Sequence, residues 1–167
     1  CKVFIVHARN AILKGLSPKE NREIPPLKYD YVYRLKQERP ELEILINGGV
    51  KTNAEIAEHL RHVDGVMVGR GAQGAPWRLA EISHALWGTA APEVPQGQAR
   101  ADLIAAHYED MLSFYGRDLG LRIARKHLGW YADEAGAAKA LRAQMMVAPT
   151  PESTLALIAE AFSDTPR

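Results

Sequence analysis

Short continuous apolar runs alternate, over the first half of the chain, with stretches in which apolar residues recur every three to four positions. Val3–Val6, Glu43–Ile46 and Gly65–Val68 are the runs, each the length of a buried strand. Between and after them, Tyr29–Glu38 carries Tyr29, Val32, Tyr33 and Leu35 at helical spacing and stops at Pro40. Residues 53–61 place Ile56 and Leu60 on one face, and 76–86 open with a proline at the first helical turn. Strand, glycine-rich turn, helix, repeated, predicts a parallel sheet with both faces covered. Val3 follows only Cys1 and Lys2, with no initiator Met, which predicts that the chain is a piece of a longer protein.

The pattern changes at residues 88–97, Gly-Thr-Ala-Ala-Pro-Glu-Val-Pro-Gln-Gly, a composition typical of an interdomain linker. Helical periodicity then runs to the end: residues 98–115 with Leu103, Ile104, Met111 and Leu112, then 119–131, 137–147 and 151–162. The predicted organisation is an α/β domain over 1–87, a linker over 88–97 and an all-α helical bundle over 98–167.

Composition narrows the class without naming a partner. A net charge of +1 and a pI of about 8.1 announce no nucleic-acid binding, so any RNA contact must come from local clusters of Lys and Arg. The single cysteine, Cys1, excludes a disulfide framework and a thiolate zinc site and predicts a cytoplasmic protein without a metal. No apolar run reaches the length of a membrane span.

Chemistry is expected at the strand-to-helix turns. Asn47-Gly48-Gly49 and Gly69-Arg70-Gly71 each sit where a strand hands over to a helix, where backbone N–H groups can converge on an anion; the plainer reading is two tight turns that need glycine. Because (β/α)8 barrels often bind phosphate after strands seven and eight, the three runs would be strands six to eight of a TIM barrel. His7 and Arg9 would then stand at the carboxyl rim, within reach of a ligand. The long loop from Lys14 to Pro26 is either functional or a solvated excursion. In 119–131, Arg122, Arg125 and Lys126 share a face that would suit phosphate contacts or simply face water. Trp130 and Tyr131 would stack on a base or join the core.

His7-Ala8-Arg9, Leu13–Pro26 (LKGLSPKENREIPP), Ile46–Gly49 and Asp64–Arg70 (DGVMVGR) resemble the A subfamily of bacterial tRNA-dihydrouridine synthases. Gly69–Trp77, Met111–Leu119 and Ile123–Tyr131 (IARKHLGWY) look more like the B subfamily, and Ala138 and Leu141 stand where the A subfamily has two tRNA-binding arginines. The resemblance implies an enzyme in which NADPH reduces FMN, the flavin passes hydride to C6 of a D-loop uridine of tRNA, and a cysteine protonates C5. It implies FMN contacts by His7, Asn47, Gly48, Gly49, Gly69 and Arg70, and tRNA contacts by Lys19 and Arg22. Arg122, Arg125 and Lys126 are the expected tRNA contacts of the tail. The catalytic cysteine is expected upstream of residue 1, so the chain alone should be inactive. Uridine 20 or 20a is the expected target, with 17 as the alternative. The competing readings are a flavin barrel acting on a small pyrimidine and a non-catalytic RNA-binding module. Oligomeric state is not legible.

Overall fold

The computed structural model describes residues 1–163, so the last four positions of the predicted helical domain lie outside the described residues. Two compact units divide the chain: Cys1–Ala72 with Leu79–Ala91, and Gln73–Arg78 with the residues from Pro92 onward.

The first unit is built on three parallel strands in the order β1 (Val3–His7), β2 (Glu43–Asn47), β3 (Gly65–Met67). Ile44 and Ile46 of the central strand point to one face and are fully buried against Val32 and Val63, with Val32 supplied by α2 (Tyr29–Glu38). On the other face Leu45 packs into the space left by Gly65, where an added Cβ would come within 2.9 Å of Leu45 Cγ. In β1, among the described residues, Val3, Phe4 and Ile5 are 48%, 40% and 56% exposed. An apolar run specifies a tendency to be covered, and among the described residues β1 pairs with β2 alone.

Helix α3 (Asn53–His59) begins on a reciprocal capping box between Thr52 and Glu55, and a single turn, α1 (Pro18–Asn21), begins on the same device between Ser17 and Glu20. The latter lies inside the loop that periodicity leaves irregular. Helix α4 (Arg78–Trp87) starts two residues after the proline expected to open it, where the Arg78 amide closes a turn on the Ala75 carbonyl at 2.9 Å.

Asp64 anchors the lower edge of the sheet. Its Oδ2 accepts from the Ile44 amide at 2.8 Å and pairs with Lys36 Nζ at 2.9 Å, and Lys36 also donates to the Leu42 carbonyl. The Ile44 N–H and then Lys36 hold the Asp64 carboxyl below its ordinary value of 3.8. A depressed acid stabilises the fold above its unfolded pKa and loses that contribution as pH falls through the folded one. Stability should therefore decline below about pH 4 in the parent, and Asp64→Asn should lower stability at pH 7 while flattening that decline. Urea midpoints between pH 3 and 7 check this; identical pH profiles would contradict it.

The second unit packs α5 (Gly97–Tyr115), α6 (Arg117–Ala135), α7 (Lys139–Val147) and α8 (Pro151–Phe162) around Ile104, Tyr108, Leu128, Met145, Ile158 and Phe162. Gly120 lets α5 and α6 approach, since a Cβ there would lie 2.8 Å from the Met111 carbonyl oxygen. Gln73–Arg78 is bound into this unit by backbone contact of Gly74 with Trp130 and by Trp77, whose ring lies under the Arg100 guanidinium at 5.1 Å. Arg100 is buried but not orphaned: Nε donates to the Pro95 carbonyl at 3.0 Å and Nη1 pairs with Glu134 at 3.4 Å.

Candidate functional site

Strand register brings His7, Asn47 and Met67 side by side at the carboxyl ends of β1, β2 and β3. Asn47 joins all three: its Nδ2 donates to the Met67 carbonyl at 2.9 Å, and its Oδ1 meets His7 Nδ1 at 2.7 Å. With the amide nitrogen committed to a carbonyl, Oδ1 is the acceptor, so His7 Nδ1 carries the proton and Nε2 of the neutral ring is left as an acceptor.

The turn that follows is tightly backed. Gly48 and Gly49 have φ of +124° and +73°, Tyr29 Oη donates to the Gly48 carbonyl at 2.8 Å, and a Cβ on Gly49 would lie 2.5 Å from Leu27 Cδ1. Leu27 and Tyr29 thus shape a turn that glycine alone fits.

Helix α3 starts beyond this turn, on its Thr52 cap. Glu55 Oε2 already accepts from the amides of Lys51 and Thr52 at 2.9 and 2.8 Å, and these two bonds, Thr52 first, hold its carboxyl below the ordinary value. This carboxylate caps the first amides of α3 and takes none of the Asn47, Gly48 or Gly49 amides. The turn after β3 has another character: Gly69 faces open space and Arg70 opens a 3-10 turn, Arg70–Ala72. Gly71 brings the two turns together, since a Cβ there would lie 3.0 Å from the Val50 carbonyl oxygen.

The loop from Asn10 to Pro26 is organised and reaches the same edge. Asn21 clips it closed, with Oδ1 accepting from the Ile12 amide at 2.7 Å and Nδ2 donating to the Ile12 carbonyl at 2.9 Å. Arg9 Nη1 donates to the carbonyls of Glu23 and Pro25, and the Lys28 amide donates to the Ala8 carbonyl. Arg70 Nη2 donates to the Arg22 carbonyl at 3.2 Å, and Nη1 lies 3.6 Å from Glu23 Oε1. Lys19 and Arg22 are exposed on this loop. His7, Asn47, Gly48 and Gly49 therefore form one group and Arg22 and Arg70 another. Sequence reasoning left out Glu23, Asn21, Leu27 and Tyr29. The Ser17–Glu20 box was a legible signal of an ordered loop; the Glu23–Arg70 contact, 47 residues apart in sequence, had none.

In the second unit the basic stripe divides. Arg122 and Lys126 are exposed, with Arg122 Nε on the Asp118 carbonyl at 3.3 Å, but Arg125 is half-buried, with Nη2 on the Ala148 carbonyl at 3.3 Å. Tyr131 is a core residue whose hydroxyl meets His107 Nδ1 at 3.0 Å, and Trp130 lies edge-on to His127. Burial, followed by His107 and Lys126, pushes the His127 imidazole below its ordinary value. Ala138 is the N-cap of α7 and Leu141 is half-buried against the core. Among the described residues no cluster of His, Cys, Asp and Glu could hold a metal, and no helix is long and apolar enough to cross a membrane.

Fold and edge geometry define an α/β protein whose polar groups gather at the carboxyl ends of parallel strands, joined to a helical unit. Residues 1–165 match the family model described as dihydrouridine synthase, and the chain belongs to that family. It is similar to a probable tRNA-dihydrouridine synthase of Rhodobacter capsulatus, 66% identical over 100 residues, which cover 60% of this chain and 30% of the relative. A tRNA-dihydrouridine(20/20a) synthase of Yersinia pestis is 44% identical over 98% of the chain and 46% of its own length. The enzyme of the same name from Vibrio parahaemolyticus is 42% identical over all of the chain and 50% of its own length. The chain thus spans half or less of the length of these curated relatives.

Proposed function

We propose that the full-length protein containing this chain is a cytoplasmic FMN- and NADPH-dependent tRNA-dihydrouridine synthase that reduces uridine 20 or 20a of the D-loop. The observation that carries the reading is that relatives named for the 20/20a reaction match the whole chain, helical unit included. In this reading β1, β2 and β3 are strands six to eight of a β/α barrel, residues 1–87 are the flavin-binding part, 88–97 a linker, and the helices from 98 a tRNA-binding domain.

The residues at the strand ends fit an FMN phosphate. Arg70 is half-exposed beside the open space at Gly69 and already has a carboxylate near its guanidinium, so an oxyanion can be accommodated there. Arg70, with the Gly69 backbone, would hold the phosphate. His7, fixed by Asn47, would present Nε2 to the flavin, and Asn47, Gly48 and Gly49 would keep that edge in place. A bound flavin would supply hydride for C6 of the uridine. Lys19 and Arg22 on the rim loop, and Arg122 and Lys126 on α6, would bind tRNA phosphates and set the register of the substrate without reading its sequence. Arg125 would contribute by bracing the end of α7, given its bond to Ala148.

Cys1 is exposed before β1, at the amino end of the strand, whereas His7 stands at the carboxyl end. In this reading the proton donor to C5 would lie outside these residues, and the 167 residues alone would be inactive. With the full-length, flavin-loaded protein, NADPH oxidation should be stimulated by tRNA that lacks native modification and not by uridine or uracil. Stimulation by the free pyrimidines alone would assign a small-metabolite reductase instead.

A further inference from the structure

Arg70 meets the rim loop at two points of different kind, a hydrogen bond to the Arg22 carbonyl and an ion pair with the Glu23 carboxylate. The backbone of Glu23 is fixed independently of that pair: its carbonyl accepts from Arg9 at 3.3 Å and its amide donates to the Glu20 carbonyl at 3.0 Å. The loop thus delivers a negative charge to Arg70 by means that do not depend on Arg70. The pair itself is loose. At 3.6 Å, with the two side chains 53% and 49% exposed, it belongs to the class of surface ion pairs that water screens and that exchange readily for a better partner.

We propose that the Glu23 carboxylate competes with the flavin phosphate for Arg70, and so determines how strongly this site prefers a phosphorylated flavin over the same flavin without its phosphate. The inference rests on the reading of Arg70 as the phosphate-binding residue. A guanidinium has five N–H donors and no acceptor; here Nη2 is committed to a neutral carbonyl and Nη1 faces the carboxylate. A phosphate brought to the same guanidinium meets a second negative charge a few ångströms away, and the two repel unless Glu23 withdraws. Withdrawal is feasible because only its side chain must turn; the bond from Arg9 goes to the Glu23 backbone and survives. For the same reason Glu23→Gln removes the charge without freeing the loop.

The test uses the full-length protein stripped of flavin and titrated with FMN and with riboflavin, binding being read from flavin fluorescence. Glu23→Gln should raise the affinity for FMN relative to riboflavin by about three- to fivefold, the size of a screened surface pair, with riboflavin affinity unchanged. In an Arg70→Ala background the same substitution should leave the FMN-to-riboflavin ratio where it was. An unchanged or lowered ratio in Glu23→Gln, while Arg70→Ala still lowers it, overturns the competition and leaves Arg70 as the phosphate residue. A ratio that Arg70→Ala does not move overturns both.

Discussion

Replacing Arg70 with Ala in the full-length protein is expected to weaken FMN binding by about 1.5–3 kcal/mol, the loss of a charged hydrogen bond. That corresponds to roughly a 10- to 150-fold rise in Kd. Riboflavin, which lacks the phosphate, should bind the variant and the parent alike. The guanidinium is exposed, opens the turn after β3 and is steered by the Arg22 carbonyl, so removing it leaves the sheet and the Gly48–Gly49 turn intact. His7→Ala should have a smaller effect on affinity, because its ring is bonded to Asn47 and offers the ligand only Nε2. Flavin fluorescence titration checks both, and equal FMN affinity in Arg70→Ala and parent would remove Arg70 from the site.

Gly74→Ala should destabilise the helical unit by about 2–5 kcal/mol, from a left-handed backbone imposed on alanine and from overpacking. Gly74 has φ +78°, and its Cβ would sit 2.4 Å from the Trp130 carbonyl oxygen and 2.7 Å from the Trp130 carbonyl carbon, backbone atoms that cannot turn aside. Gly136→Ala is the matched control: φ is +66° there, but nothing lies within 4 Å of the new Cβ, so only about 1–2 kcal/mol of backbone strain is expected. Urea unfolding followed by tryptophan fluorescence compares the two; equal costs would show that the Trp130 contact is not tight.

Much of this architecture is written locally. The periodicity of Tyr29–Glu38 and Pro151–Phe162 specified those helices to the residue, because each has an apolar face and a sharp terminus, Pro40 after one and a Thr150 cap before the other. The exposure of Val3, Phe4 and Ile5 accords with the reading of β1 as a strand whose further neighbour would lie outside these residues. The placement of Gln73–Arg78 was not legible, since it is decided by the fit of Gly74 and Trp77 against distant residues of α5 and α6.

At the site, glycine spacing located both turns but not their difference. Glu55, three residues after its cap, takes the Lys51 and Thr52 amides that follow the first turn, while the second keeps Arg70 accessible. The capping signature Thr-x-x-Glu was present to be read. On α6, Arg122, Arg125 and Lys126 share a charge pattern, yet only packing shows that Arg125 turns toward the Ala148 carbonyl.

The most direct test of this account maps dihydrouridine at nucleotide resolution in tRNA that carries no native modification, after reaction with the full-length protein, FMN and NADPH. Reduction at uridine 20 or 20a, lost when NADPH is withheld, is the predicted result; reduction confined to uridine 17, or none at any D-loop uridine, would contradict it.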